Sequence, residues 1–483
     1  MRILAAAQAL VAALLIGATA ASAADIGAND DTAKHSADGG AGIYSEMAAL
    51  GLRQTVIGVR FKPSEPIVIQ DKRLLDAVIP NALAAGLRVV IAVYPYPPRE
   101  IEAGLGSPSL FGSYAAAVAS IYPQVKKFVI GNEPNQPAFW RPQFDAPGAN
   151  VSAKSFGPYL AAAYDALKSV DPALSVIGVG LSPRGNDRPK ARNNVSTSPV
   201  RFLRALGAWY RTSRRDRPLM DAFSFHPYPN EATDSLDRGY AWPNAGFVDL
   251  GRIKQALWDA FNGTPQPTTL EGLKLHLDEL GWQVGTAGRL GYSGSENVPV
   301  TDELSQAAIY GDLIRRAACD PDIAEVSFFG FRDDGLRTGF QAALQRADGS
   351  SRPSAEAVRT AIAETAAGCS GETLAWQPGA DVIGAEVAVG AAASQVKARV
   401  ATGEDARALV CVRPVARVPT AIVALQAPEV LCRNAKVIGL RPRTVALPAP
   451  AGVSDRLAVA VELAAEANRA RRTIVVREAV ILR

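Results

Sequence analysis

The chain of 483 residues is poor in the side chains that bind metals, with 4 cysteines and 3 histidines. The histidines, His35, His226 and His276, form no close ligand pair with a cysteine or with one another, so the sequence predicts neither a metal nor a cofactor. The chain also lacks a strong charge of one sign, because 51 basic and 47 acidic residues are interspersed along it. This balance argues against nucleic acid as a partner.

Long hydrophobic runs are missing after residue 24, so no later segment is predicted to cross a bilayer. At the N-terminus, Arg2 precedes an apolar run over residues 3–16 and a small-residue stretch over 18–24. This pattern predicts a signal peptide of residues 1–23, cleaved after Ala23 in an Ala-Ser-Ala motif. A membrane anchor is disfavoured because the run is shorter than the roughly 20 residues a spanning helix needs. We therefore expect a protein that is secreted or lies in the periplasm or cell envelope, free of the membrane after cleavage.

The cysteines are too few and too widely spaced for a disulfide scaffold, but an even number in an exported chain favours two bridges. We predict a Cys319–Cys369 bond, whose cysteines flank the last strand and helix of the predicted N-terminal domain. We also predict a Cys411–Cys432 bond within the C-terminal region. Four cysteines permit three connectivities, so the other pairings remain open at this point.

From residue 24 to about 365 the sequence repeats one unit: a short run rich in Val, Ile and Phe, a polar loop, and an Ala- and Leu-rich helical pattern. Repeated strand-then-helix units indicate a parallel sheet, and eight of them predict an α/β fold of the (β/α)8 TIM-barrel type over residues 24–368. A doubly wound sheet is disfavoured because no G-x-G-x-x-G turn follows the first strand. The predicted strands are 24–28, 55–61, 88–94, 127–131, 175–181, 222–225, 273–277 and 326–330. The predicted helices include 42–50, 72–85, 113–122, 157–170, 200–212, 252–261, 305–317 and 354–365.

Residues 369–483 differ in character, because helical patterns become rare and alternating Val and Ala residues appear between prolines. The alternation predicts a small β-rich C-terminal domain. Its aromatic content is one tryptophan, Trp376, without tyrosine or phenylalanine, so a packing or spacer role is expected rather than a sugar-stacking surface. The predicted strands are 396–400, 408–412, 421–425, 456–462 and 473–476.

Two predicted barrel strands end at a glutamate. The fourth runs into Glu133 within Phe-Val-Ile-Gly-Asn-Glu-Pro-Asn, and the seventh runs into Glu279 within Leu-His-Leu-Asp-Glu-Leu-Gly-Trp. In this fold active sites form where the strands end, although an isolated carboxylate there is often a cap or a solvated surface group. Cleavage of a glycosidic bond needs one carboxylic acid to protonate the leaving oxygen and one carboxylate to attack the anomeric carbon. The paired strand ends therefore predict this chemistry.

Three motifs, in this order and at these strand ends, resemble the retaining (β/α)8 glycoside hydrolases of clan A, the cellulase-like enzymes. They are Asn132-Glu133-Pro134, His226-Pro227-Tyr228 and Glu279-Leu280-Gly281-Trp282. The resemblance covers residues 24 to about 366. It implies a carbohydrate substrate, with Glu133 as general acid/base and Glu279 as nucleophile.

The resemblance also implies roles for neighbouring residues. Asn132 would hydrogen-bond the 2-hydroxyl of the sugar, Tyr228 would orient the nucleophile, and His226 would line the sugar subsite. Arg60, near the end of the second strand, matches a position that often holds an arginine near the nucleophile. For each of these residues the alternative is an ordinary structural contact.

Aromatic residues near these motifs are candidates for stacking on a sugar face. We expect Trp140 and Trp282 to bind substrate in this way, with Phe139, Tyr94 and Tyr96 widening the surface. For each of them, core packing is the alternative.

The chain departs from the family in two places. The last barrel strand ends in Phe331-Arg332-Asp333-Asp334, where many members have a tryptophan. On the seventh strand, strict alternation leaves Lys274, His276 and Asp278 on the face opposite Glu279, facing the helices. A bulge or a different register is therefore predicted there.

Two other functions remain open. A transglycosylase would use the same site and pass the sugar to another sugar instead of water. A non-catalytic carbohydrate-binding or cell-wall protein is also possible, although such a protein need not keep both glutamates. Substrate specificity is expected to lie in the loops at 136–148, 183–200 and 230–248.

Overall fold

The computed structural model describes residues 24–146, 148–378, 386–392, 394–402, 405–414, 431–438, 442–449, 456–466 and 472–480. The predicted signal peptide and the predicted strand at 421–425 lie outside these residues. Among the described helices, none combines the length and the hydropathy that crossing a bilayer requires.

Eight parallel strands close into a barrel in sequence order, which confirms the predicted fold class. Their bounds are β1 (Asp25–Asn29), β2 (Gln54–Phe61), β3 (Arg88–Pro95), β4 (Lys127–Ile130), β5 (Ser175–Leu181), β6 (Ala222–Phe225), β7 (Lys274–Leu280) and β8 (Ile323–Phe329). Each predicted strand overlaps one of these, and β5 and β6 have the predicted bounds. Because the strands are parallel, all eight carboxyl ends meet at one rim of the barrel.

An outer ring of helices surrounds the barrel. The helices are α1 (Ala41–Ala49), α2 (Lys72–Ala84), α3 (Pro98–Glu102), α4 (Pro108–Ile121), α5 (Ser152–Val170), α6 (Pro199–Ser213), α7 (Leu250–Phe261), α8 (Glu303–Cys319) and α9 (Pro353–Glu364). Several begin at a side chain that suits a helix start. The Asp302 carboxylate, for example, accepts from the backbone N–H groups of Leu304 and Ser305 at 2.9 Å each, which satisfies donors at the start of α8.

Two apolar cores hold the barrel. The larger one lies between strands and helices and contains the buried faces of α1, α2 and α4–α9. The second fills part of the lumen with six small or branched side chains: Val56, Val90, Ala92, Val129, Ile177 and Ala222. These six come from β2 to β6, so the part of the lumen beside β7 and β8 is filled differently.

Strand β7 is longer than predicted, and its irregular register confirms the expected departure from alternation. Its pairing with β8 shifts twice, between Leu275 and His276 and again between Leu277 and Leu280. His276 and Asp278, which simple alternation places against the helices, instead contact polar groups from neighbouring barrel strands, while Lys274 is exposed. Because of these shifts, the side chains of both Asp278 and Glu279 lie at the same end of the barrel.

The C-terminal region forms two antiparallel sheets around a core of their own, rich in valine and alanine. One sheet has the strand order β13-β10-β9 and the other β12-β11-β14-β15. Their bounds are β9 (Glu386–Ala392), β10 (Gln395–Ala401), β11 (Ala406–Pro414), β12 (Leu431–Val437), β13 (Arg443–Pro448), β14 (Arg456–Ala465) and β15 (Arg472–Val480).

Both predicted disulfides are present. Cys319 at the end of α8 bonds Cys369 beyond α9, and Cys411 on β11 bonds Cys432, directly opposite on β12. The first bond ties the end of the barrel to the start of the segment that leads into the C-terminal sheets. The second crosslinks two strands of one sheet.

Candidate active site

Glu133 lies in the turn that follows β4. The turn begins with Gly131 at φ +109°, and Glu133 itself has φ +40°, in the left-handed region that side chains other than glycine rarely adopt. Its backbone N–H donates to the carbonyl of Gly180 at 2.6 Å, which holds the turn against β5. A residue held this way costs of the order of 1 kcal/mol, and such costs concentrate at functional sites.

Glu279 reaches the same rim from β7. The hydroxyl of Tyr228, just beyond β6, donates to Glu279 Oε1 at 2.8 Å. Tyr228 is in turn held by Tyr240, whose hydroxyl donates to the Tyr228 carbonyl at 3.0 Å. The structure thus brings Tyr228 to the position expected of a residue that orients Glu279.

His226 lies between the two glutamates. Its Nδ1 is 3.3 Å from Glu133 Oε1 and 3.7 Å from Glu279 Oε2, while its Nε2 is 3.6 Å from Asp278 Oδ1. Ligand atoms of Glu133, His226 and Glu279 all lie within 4.8 Å of one another, so the two glutamates face each other closely across the imidazole. His226 was expected to line the sugar subsite, but only 1% of it is exposed, so it lies beneath the carboxylates instead.

The charges of this cluster depend on one another. Burial disfavours a charged imidazole, but Glu279, Asp278 and Glu133 outweigh it and raise the pKa of His226 to about 9. Burial raises the pKa of Glu279 to about 7, opposed by the His226 imidazolium and the Tyr228 hydrogen bond and reinforced by Glu133. Glu279 therefore keeps its proton to a higher pH than an ordinary glutamate does.

The same three side chains are near enough together to be tested as a metal site. A histidine that binds a metal must be neutral, and the raised pKa of His226 keeps its imidazole positively charged at neutral pH. A cation at this cluster would therefore have to displace the proton on His226.

A cavity of about 480 Å³ opens above the glutamates. Its size is that of a small-molecule site. Phe139, Phe329 and Phe340 supply aromatic lining, and the last two pack edge-on or tilted against each other and Tyr228 at centroid distances of 5.4–6.3 Å. The polar lining includes Gln136, Arg184, Asn230 and Gln283.

Two predicted residues, Asn132 and Arg60, are not part of the cluster of Glu133, His226 and Glu279. Asn132 is half-buried and directly precedes Glu133. Arg60 at the end of β2 is exposed, where its Nε donates to the Tyr94 hydroxyl at 3.4 Å and its guanidinium lies 5.1 Å from the centre of the Tyr96 ring. The structure thus pairs Arg60 with tyrosines instead of placing it against Glu279.

The expectation that Trp140 and Trp282 stack on substrate is wrong, because both are core residues with 1% and 2% exposure. Trp140 donates its indole N–H to Ser155 Oγ at 2.8 Å and packs edge-on against Phe156. Trp282 donates to the carbonyl of Asp234 at 2.9 Å. With the indole N–H groups satisfied inside the protein, both rings act as packing residues.

Sequence reasoning did not single out several cavity residues, among them Phe329, Phe340, Arg184 and Gln283, or the partner of His226. Phe329 ends β8 and Phe340 lies in the loop that follows, near the position where the family often has a tryptophan. Arg184 lies in the loop at 183–200, which was expected to contribute to specificity, but the sequence did not single out this residue. For Asp278, the sequence indicated only that strict alternation places it on the face of β7 opposite Glu279.

No protein-family model and no curated protein sequence matches the chain. Among 262 matching chains of known structure is a family 39 glycoside hydrolase from the gut symbiont Bacteroides cellulosilyticus WH2, with TM-score 0.45 and 14% identity, covering 88% of this chain and 81% of that one. A monomeric beta-xylosidase from Caulobacter crescentus CB15 has TM-score 0.46 and 14% identity, covering 92% and 98%. A glucosidase from Croceicoccus marinus has TM-score 0.46 and 13% identity, covering 89% and 93%. At this level of similarity, function has to be argued from the site.

Proposed function

We propose that the protein is a secreted glycoside hydrolase that cleaves O-glycosidic bonds of an oligo- or polysaccharide with retention of configuration. Glu133 is the general acid/base and Glu279 the nucleophile. The observation that carries the proposal is the close approach of these two carboxyl groups at the ends of β4 and β7.

The separation of the carboxyl groups supports retention. In retaining enzymes they stand about 5–5.5 Å apart, whereas inverting enzymes need about 6.5–9.5 Å to admit a water molecule. Carboxyl oxygens within 4.8 Å of each other lie closer than the inverting range, which supports retention.

The hydrogen bonds support the division of roles. The Tyr228 hydroxyl stabilises the charged form of Glu279 by donating to Oε1. An ionised Glu279 opposite a protonated Glu133 is the state that glycoside cleavage requires.

The reaction proceeds in two displacements. A carboxylate oxygen of Glu279 attacks the anomeric carbon, the glycosidic C–O bond breaks, and the proton of Glu133 passes to the leaving oxygen. Glu133 then takes a proton from water, whose oxygen attacks the anomeric carbon and breaks the ester bond to Glu279. The second step restores both carboxyl groups.

Export of the protein is part of the proposal. The predicted signal peptide at residues 1–23 supports it, as do the two disulfides, because such bonds persist in oxidising compartments. A polysaccharide outside the cytoplasm is the kind of substrate this location would supply.

The test is a panel of aryl glycosides and polysaccharides, incubated with wild-type protein, Glu133→Gln and Glu279→Gln. We expect cleavage by the wild type with retained anomeric configuration, read by NMR, and loss of activity in both variants. A 2-deoxy-2-fluoro glycoside of the accepted sugar should label Glu279, as shown by peptide mass spectrometry.

Glu102→Gln is the matched control, because it makes the same change on an exposed residue of α3, and its activity should equal that of the wild type. Comparable activity in all three variants would overturn the assignment. Inverted product would contradict the retaining mechanism, and a fluorosugar adduct on Glu133 would reverse the roles.

A further inference from the structure

The lumen of the barrel beside β7 and β8 contains charge where branched apolar side chains usually pack. Two histidine–carboxylate pairs lie there. In the lower pair, nearer the strand starts, His276 Nδ1 is 2.8 Å from Glu325 Oε2. In the upper pair, His226 Nε2 is 3.6 Å from Asp278 Oδ1. The upper pair connects directly to the two glutamates of the proposed site.

Asp278 is held firmly in place. It is 2% exposed, its carboxylate accepts a hydrogen bond from the Ser224 hydroxyl, and its backbone carbonyl accepts from Asn29 Nδ2 at 3.3 Å. β6, β7 and β1 thus fix its position. Burial at this level keeps Asp278 away from any substrate in the cavity.

We propose that Asp278 is a positioning residue: through His226 it orients a protonated imidazole whose Nδ1–H is held between Glu133 and Glu279. This inference rests on the proposed function, since it assigns a role to a group behind the two reacting carboxyl groups. It also explains why β7 carries an aspartate immediately before its terminal glutamate.

The geometry supports the link because the two ring nitrogens of His226 face different partners. Nε2 faces Asp278, and Nδ1 faces Glu133 at 3.3 Å and Glu279 at 3.7 Å. A carboxylate on the Nε2 side attracts the positive ring and so favours the doubly protonated form with this nitrogen turned toward Asp278. The Nδ1–H then remains available to both glutamates.

The charged groups around the upper pair come from several strands. Glu133 faces His226 from the end of β4, and Glu279 and Asp278 face it from β7. Glu325 on β8 is close enough to Asp278 to oppose its charge. Three carboxyl groups therefore surround one imidazole, and removing Asp278 takes away the one that faces Nε2.

The experiment follows the imidazole directly by ¹⁵N NMR of histidine side chains in the whole protein. The chain has 3 histidines, so the His226 signal can be assigned with a His226→Asn variant. We expect Asp278→Asn to lower the titration midpoint of His226 by about one pH unit or more. Ser224→Ala, which frees the carboxylate without removing it, should lower the midpoint less, and it carries the test if Asp278→Asn does not fold.

Asp320→Asn is the matched control. Asp320 is also buried and paired, with Lys254 Nζ at 2.6 Å, but it precedes β8 at the opposite end of the barrel. It should leave the His226 titration unchanged. In activity assays the alkaline limb of kcat/KM should move with the His226 midpoint in Asp278→Asn, with KM nearly constant.

The outcomes separate this inference from the proposed function. An unchanged His226 titration in Asp278→Asn, or in Ser224→Ala if the first variant is unfolded, overturns the positioning role whatever the activity. A shifted titration in a protein that cleaves no glycoside overturns the proposed function while the link between Asp278 and His226 stands. A shifted titration with an unmoved alkaline limb overturns the connection to the glutamates.

Discussion

Replacing Glu279 by glutamine should stabilise the folded protein above neutral pH while removing the proposed nucleophile. Burial raises the pKa of Glu279 from 4.5 to about 7. In the unfolded chain the carboxyl group ionises near pH 4.5, so between about pH 4.5 and 7 the folded state keeps a proton that the unfolded state has released. Stability therefore falls as the pH rises through this window.

The size of the effect follows from the shift. A difference of about 2.5 pH units corresponds to about 3 kcal/mol, since one unit is worth about 1.36 kcal/mol. The attraction of His226 and the Tyr228 hydrogen bond already offset part of the cost in this value. The full penalty is present above pH 7, and below about pH 4.5 it is absent because both states are protonated.

Urea unfolding of wild type and Glu279→Gln at about pH 4 and about pH 8 measures the difference. The variant should gain about 3 kcal/mol at the higher pH and little at the lower one. Glu102→Gln provides the control, with no gain expected at either pH because its carboxylate is exposed. An equal gain of Glu279→Gln at both pH values, or a loss at pH 8, would refute the electrostatic reasoning.

Three further predictions concern the same site. First, a plot of kcat/KM against pH should be bell-shaped. It should rise near pH 7 as Glu279 loses its proton and fall near pH 9 as His226 loses its proton. The measurement is a pH series at constant ionic strength. Second, Tyr228→Phe should lower kcat about 10- to 100-fold and move the rising limb of the pH profile to higher pH. The reason is that a hydrogen bond to a charged group is worth about 1.5–3 kcal/mol. Steady-state kinetics in which the rising limb stays at the wild-type pH would contradict this prediction. Third, Trp140→Ala and Trp282→Ala should each cost about 3–5 kcal/mol of stability and leave KM of the folded protein unchanged, so a KM effect at wild-type stability would show that a ring contacts substrate.

The barrel and the two glutamates were predictable because local patterns determine them. Apolar runs rich in Val and Ile ended at polar residues, which placed the ends of β4 and β7 before any tertiary information was needed. The parallel arrangement then brings Glu133 and Glu279 to one rim. The predicted bounds of β5 and β6 held for the same reason, since glycine- or proline-rich turns delimit both runs.

The rest of the site depends on contacts between distant parts of the chain. Alternation failed on β7 because its register with β8 shifts twice, and Ser224 and Glu325 from neighbouring strands contact Asp278 and His276. The burial of Trp282 depends on Asp234, 48 residues away, which accepts its indole N–H. A sequence motif cannot specify such partners, so it placed the tryptophan in the wrong environment.

The arrangement of the site links its cost in stability to its chemistry. Glu133 is held at φ +40°, and Glu279 retains its proton to unusually high pH because it is buried beside another carboxyl group. Both features oppose folding, and the two apolar cores of the barrel offset them. The burial that raises the pKa of Glu279 also shields its contact with Tyr228 from water, so a substitution that recovers the lost stability at this position must also remove the group proposed to attack the sugar.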